Sequence, residues 1–274
     1  MRDHLRFYRH RWFKAWIAMI VLSFSLIAVM QAAGNEALLP AAFFYGAAAG
    51  PVALLLATHD RTRIGVSLPA MTLMGMFLFG GGVALLLGGC LDSLFISPKN
   101  DVSILRVGWI EESAKLVPPL AVALTGRHLT KAAGVALGLS CATGFAIMES
   151  MAYAWKNVAG EGGVVGAGTI LFLRGLTTPF SHLVWTGLIC AVAFGTWQAR
   201  GRVVVTLPVV AAFVTAAVLH SLSDGLLVLD IPRPARLLFL VVAVVSYWLF
   251  HRATRDLKPP VVPPDPLPNL TRTP

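Results

Sequence analysis

Apolar residues run along this chain in blocks of about 20, the length an α-helix needs to cross the hydrocarbon core of a bilayer. Eight blocks can be traced, at 15–33, 38–57, 68–91, 104–125, 131–155, 177–198, 204–229 and 235–251. Short loops join consecutive blocks, so a single membrane domain is expected. The pattern is weakest over 160–198, where Arg174 and Pro179 interrupt it; a surface segment followed by a span is the expectation there. Gly46-x-x-x-Gly50 and Gly134-x-x-x-Gly138 set small residues one turn apart, where helices can approach closely. The pattern predicts an all-α fold, a polytopic membrane helical bundle of about eight transmembrane helices. It divides the chain into a basic N-terminus (1–14), a membrane domain (15–251) and a proline-rich tail (252–274) expected to be disordered and partly polyproline II.

Composition agrees with the membrane class. Of the 274 residues, 57% are hydrophobic and 13% charged, against about 25% charged in an ordinary soluble domain. The basic start from Met1 to Lys14 leads into the first apolar block without a small-residue cleavage site, so that block is read as a retained helix. A net charge of +9 raises the question of nucleic acid, but the cations fall in short clusters between apolar blocks, as membrane topology requires. No nucleic-acid partner is expected. Cys90, Cys141 and Cys190 are odd in number, fit no metal spacing and lie in apolar runs, so they are read as buried, inert thiols.

The same cations orient the chain. One side takes Arg2, Arg6, Arg9, Arg11, Lys14, Arg61, Arg63, Arg127, Lys131, Arg200, Arg202, Arg252, Arg255, Lys258 and Arg272. The other takes Lys99, Arg106, Lys156, Arg174, Arg233 and Arg236, so the split is fifteen to six, with Lys115 inside a block. The richer side faces the cytoplasm by the positive-inside rule, which makes both termini cytoplasmic and places the protein in the cytoplasmic membrane.

Ionisable side chains inside a span cost at least a few kcal/mol each and mark functional sites. Here they are Glu111, Glu112 and Lys115 in the fourth block, Glu149 in the fifth, His182 in the sixth, and His220 and Asp224 in the seventh. Glu111 and Lys115, Glu149 and Tyr153, and His220 and Asp224 are each four residues apart, hence on one helical face. Asp224 is thereby able to orient the His220 ring. Glu149 has no charged partner on its own helix. At 1.5 Å per residue, Glu111, Glu149, His182 and Asp224 come to one layer ~8–15 Å below the outer surface, although their helices alternate in direction. Carboxylates and imidazoles gathered at one depth suit the activation of water, with or without a metal. A proton relay in a transporter and a non-catalytic scaffold that binds membrane proteins use the same residue types. The transporter predicts a midplane site and internal repeats, neither of which is evident.

The ordered set Glu-Glu-x-x-Lys (Glu111, Glu112, Lys115), Phe-x-x-x-Glu (Phe145, Glu149), a lone histidine (His182) and His-x-x-x-Asp (His220, Asp224) resembles the PrsW family of bacterial intramembrane proteases. The context Gly144-Phe145-Ala146-Ile147-Met148-Glu149 with Tyr153, and Arg174-Gly175-Leu176-Thr177 ahead of Pro179, is similar as well; Ser150 stands where the family often has Asn. The resemblance covers residues 103–228 and extends distantly to the type II CAAX prenyl endopeptidases. It implies an endopeptidase acting on membrane-anchored proteins, anti-sigma factors among them, near the extracytoplasmic face. It implies a general base at Glu111 or Glu112, and a water or metal held by Glu149, His182 and His220. His220 would otherwise steady an oxyanion, with Asp224 as its orienter. A divalent metal such as zinc and a metal-free Glu–His mechanism both remain open, as does the oligomeric state.

Reporter fusions test the orientation. Fusions at Gly65, Arg127 and Arg200 are expected to read cytoplasmic and fusions at Lys99 and Gly163 external; an external signal at Arg127 would invert the site's placement.

Overall fold

A computed structural model describes residues 10–62, 64, 68–97, 100–229, 232 and 237–257. The cations before His10, together with Arg63, Lys99, Arg233, Arg236 and the tail from Lys258, on which part of the orientation and tail readings rest, lie outside the described residues.

The described chain is helical, with no strand. Its helices are α1 (Arg11–Ala33), α2 (Leu39–Thr62), α3 (Ala70–Gly75), α4 (Gly81–Phe95), α5 (Val107–Leu124), α6 (Lys131–Ala159), α7 (Gly163–Thr177), α8 (His182–Arg200), α9 (Leu207–Val228) and α10 (Leu238–Thr254). A π-helical turn over Met76–Gly80 joins α3 to α4, so the two act as one rod. Among the described residues, six stretches are long and apolar enough to cross a membrane: Arg11–Ala33, Glu36–Thr62, Ala70–Phe95, Lys131–Ala159, Gly163–Arg200 and Leu207–Leu227. Helix α10 is apolar but shorter, at 17 residues, and α5 carries Glu111, Glu112 and Lys115.

Local chemistry sets the helix ends. Gly34, at φ 63°, closes α1 by returning its N–H to the Met30 carbonyl. The Thr130 side chain caps α6 by accepting from the Ala133 N–H at 3.2 Å. Pro179 lies in a 3₁₀ turn, Thr178–Phe180, and cannot donate to a helical ladder. The apolar run from Gly163 to Arg200 is therefore two helices, and α8 begins at His182 rather than at the expected 177. Helix α7 lays Ala167, Leu171 and Gly175 against α2 and α6. Its Val165, Phe172 and Leu173 stay exposed, the surface a lipid would meet.

Helix α6 is the axis of the bundle. It is buried without interruption from Ala133 to Ile147 and packs against α2, α4, α5, α7 and α8. Lipid tails are as apolar as leucine, so such packing rests on close contact between helices rather than on expulsion of water. A Cβ placed on Gly144 would lie 1.9 Å from the Phe77 carbonyl oxygen, and one on Gly81 would lie 2.6 Å from the Phe145 nitrogen. The α3–α4 rod therefore crosses α6 backbone to backbone. Of α4, this crossing buries the face of Gly81, Ala84 and Gly88. Cys90, expected to be buried, falls off that face and is exposed, while Cys141 and Cys190 are buried; all three are free thiols.

The crossing yields a prediction for packing. Gly144→Ala places a methyl group against a main-chain oxygen that cannot step aside, whereas Gly75→Ala meets nothing within 4 Å. Gly144→Ala is expected to destabilise the bundle by roughly 1–3 kcal/mol or more, and Gly75→Ala to be neutral. Thermal unfolding of the two variants in detergent measures the difference; equal stabilities would contradict the crossing.

A buried carboxylate and imidazole centre

The site begins with one turn of α5. Glu111, Glu112 and Lys115 all point into the bundle and are buried, Lys115 and Glu112 completely. An ammonium removed from water needs compensation from its neighbours. The Lys115 Nζ has Glu112 Oε1 at 2.6 Å, Glu111 Oε2 at 3.4 Å and His182 Nδ1 at 3.0 Å. It also sits over the Phe145 ring, 4.5 Å from the centroid. Glu112 is saturated: its Oε1 meets Lys115 and, at 3.0 Å, His220 Nδ1, while its Oε2 accepts from Thr186 Oγ1 at 2.8 Å. One carboxylate thus ties α5 to α8 and α9.

The two imidazoles face each other edge to face, with centroids 4.8 Å apart. His220 stacks on Trp185 at 4.4 Å, and Trp185 is held in turn by donating Nε1–H to Ser246 Oγ at 2.8 Å. With Nδ1 engaged by the Glu112 carboxylate, that nitrogen carries a proton. His220 Nε2 lies 3.6 Å from Glu111 Oε2 and 3.4 Å from Asp224 Oδ2, and neither it nor Glu111 Oε2 has a hydrogen-bond partner, although both are buried. Asp224 is the most open member of the group, with about a quarter of its side chain exposed.

Glu149 does have a charged partner, supplied by a different helix. Its Oε2 accepts from the Arg174 guanidinium of α7, whose Nε donates to Ser150 Oγ at 2.8 Å. Arg174 also lies 4.6 Å from the centroid of the Tyr153 ring, so the Glu149–Tyr153 face of α6 is the face that receives it. His182 Nε2 is 3.4 Å from Glu149 Oε2. The sequence showed no link between α6 and Arg174, because their separation of 25 residues spans a helix reversal. Thr186 and Trp185 were also missed: each reads as an ordinary residue of an apolar helix until its neighbours are known.

The seven candidate residues therefore stand within one connected group: Glu111, Glu112, Lys115, Glu149, His182, His220 and Asp224. The group placed to hold a metal differs in its carboxylate from the expected one. Ligand atoms of Glu111, His182 and His220 lie within 4.8 Å of one another, whereas Glu149, expected alongside the two histidines, is held by Arg174. A carboxylate with two imidazoles suits a divalent metal such as zinc. The residues fit such an ion on their own geometry, since Glu111 Oε2 and His220 Nε2 are buried, adjacent and without a hydrogen-bond partner. The Glu112 carboxylate behind His220 is the kind of outer partner that fixes the tautomer of a ligating histidine. A cavity of about 210 Å³ between α4, α5 and α6 opens onto Glu111 and Glu149.

Comparison with family models finds one described as "PrsW family intramembrane metalloprotease", which matches residues 68–250. Comparison with curated proteins and with solved structures finds no match.

The Glu149–Arg174 pair is testable by a double-mutant cycle. Each of Glu149→Gln and Arg174→Met strands one largely buried charge, with 12% and 20% of the two side chains exposed. Each single variant is expected to lose roughly 1–3 kcal/mol, and the double variant less than the sum of the two. Unfolding in detergent reads the coupling, and strict additivity would mean that the contact carries no energy.

Proposed function

The chain belongs to the PrsW family of intramembrane metalloproteases, and from that premise we propose that the Glu111–His182–His220 centre hydrolyses a peptide bond in a membrane-anchored protein close to the extracytoplasmic face. The observation that carries this reading is the pair of buried atoms, Glu111 Oε2 and His220 Nε2, 3.6 Å apart and without hydrogen-bond partners. A packing network closes on itself, because an unsatisfied buried polar atom is costly. An oxygen and a nitrogen side by side, each left without a hydrogen bond, suit a reacting water.

Each side chain has a part in this reading. Without a metal, Glu111 accepts the proton of the attacking water. Glu112 is no candidate for that role, since Lys115, Thr186 and His220 occupy its oxygens. It acts instead by holding a proton of His220 on Nδ1, which turns Nε2 inward. Lys115 balances the charge of Glu112 and keeps the pair in place. Glu149, held by Arg174, stands beside His182 at the mouth of the site. Asp224 meets His220 from the open side and steadies the ring. Glu111, His182 and His220 are the residues that would hold a divalent metal. Such an ion, when bound, polarises water and the scissile carbonyl.

The topology that serves this chemistry has eight passes. Counting α5 and α10 with the six long helical stretches gives an even number, so both termini share one side, and in this reading the Lys and Arg asymmetry makes it the cytoplasmic side. Helix α5 can enter the bilayer because its charges are paired within the bundle. The substrates proposed are single-pass membrane proteins, including regulators of the anti-sigma type.

Co-expression with a panel of tagged single-pass proteins tests the reading. Glu111→Gln keeps the side-chain shape and is expected to reduce cleavage by roughly 10²–10⁴-fold, with expression and detergent stability unchanged. His220→Ala is expected to lose activity as well. Cleavage abolished by a chelator and restored by zinc assigns the metal; cleavage insensitive to chelation assigns a metal-free Glu–His centre. A Glu111→Gln variant that cleaves like the wild type would sink the proposal.

A further inference from the structure

The cavity beside the site has an acidic residue on its wall that the chemistry above does not use. Asp92, three residues before the end of α4, lines it together with Gly88, Glu111, Glu149 and Tyr153. The Asp92 Oδ1 is buried and has no hydrogen-bond partner, as is true of Glu111 Oε2 on the facing wall, in a residue only 6% exposed. The other carboxylates nearby are engaged, Glu112 by Lys115, Thr186 and His220, and Glu149 by Arg174.

The wall below Asp92 is bare. Gly88 is four residues earlier and so on the same helical face. A Cβ on Gly88 would make only ordinary contacts, 3.8–3.9 Å, with Phe145, Ala114 and Glu111, and one on Gly89 would meet nothing within 4 Å. Helix α4 thus presents to the cavity a notch without side chains, capped one turn later by a free acceptor. A notch of main chain beside an acceptor suits a peptide backbone.

A substrate that reaches the site from a membrane helix must unwind to expose a peptide bond. Each N–H freed from the helical ladder then needs a new acceptor, because the hydrocarbon surroundings offer none. We infer that Asp92 is a substrate-binding residue: its Oδ1 accepts a hydrogen bond from a main-chain N–H of the unwound substrate as that segment lies along Gly88–Gly89 toward Glu111. The inference rests on the proteolytic reading above and adds to it the path and the chemical group recognised. That group is a main-chain amide, which every substrate sequence supplies, rather than a particular side chain.

The Asn and Leu variants of Asp92 separate the possibilities, because Asp92→Asn retains an acceptor oxygen and Asp92→Leu does not. The experiment uses the full chain and a panel of tagged single-pass membrane proteins, scored both for cleavage and for capture. Asp92→Leu is expected to raise KM tenfold or more with kcat little changed, in keeping with the loss of a hydrogen bond to a charged acceptor. Asp92→Asn is expected to restore most of the loss. A second readout needs no cleavage: on a Glu111→Gln background, Asp92→Leu should reduce co-purification of the intact tagged substrate. An unchanged KM in Asp92→Leu overturns the inference. So does an equal loss in both variants confined to substrates with Lys or Arg near the bond, since that marks recognition of a cation. Wild type that cleaves while Asp92→Leu behaves identically removes this inference and leaves the protease reading intact. Wild type that captures substrates through Asp92 but never cleaves them removes the protease reading and leaves the binding site. A chain that neither cleaves nor captures removes both.

Discussion

The charge of Lys115 is the constraint around which the bundle is organised. It stands inside α5 with no exposed surface, and a buried cation is tolerated only where the surrounding structure balances it. Glu112 provides the balance from one turn away, and its remaining lone pairs draw in Thr186 of α8 and His220 of α9. The same ammonium reaches His182 at the head of α8. Satisfying one charge thus fixes three helices relative to one another. It also separates two neighbouring residues of the same type. Glu112 spends its oxygens on structure, while Glu111, one residue away and 3.4 Å from the same ammonium, keeps an oxygen without a hydrogen bond and turned toward His220.

Around this centre the glycines set how closely the helices approach. Contact between the α3–α4 rod and α6 at Gly81 and Gly144 leaves no space for a side chain, and it brings the end of α4 beside the start of α5. The cavity that reaches Glu111 exists because, farther along the same face of α4, Gly88 and Gly89 have no side chains to fill it. The Arg174–Glu149 pair plays a comparable part on the other side of the opening, joining α7 to α6 beside His182. The match to a metalloprotease family spans this part of the chain, and within it a carboxylate and two imidazoles lie in mutual reach.

Much of this was readable from the chain. Apolar blocks of bilayer length specify helices because no other open backbone arrangement satisfies its own hydrogen bonds in lipid. Four-residue spacings placed Glu111 with Lys115 and His220 with Asp224, and both pairs occur, because a spacing of four on a helix is a spatial contact whatever the fold around it. Counting residues from the block ends was enough to set the acids and imidazoles at a shared depth.

Tertiary structure decided the rest. Periodicity records which residues share a face and how deep they lie, but not how a helix is rotated toward its neighbours. Glu149 therefore read as lacking a charged partner until α7 brought Arg174 against it, and Glu111 in place of Glu149 joined the two histidines. Cys90 read as buried until the glycine crossing turned the opposite side of α4 inward. Asp92 belonged to no motif; what sets it apart is a buried oxygen without a partner, a property of the space around a residue and not of its place in the sequence. The sequence by itself determined the helices, their local pairs and the kind of chemistry available. Which carboxylate is left free to perform it depended on contacts between helices distant in the chain, since only there do the charges compete for the same few donors.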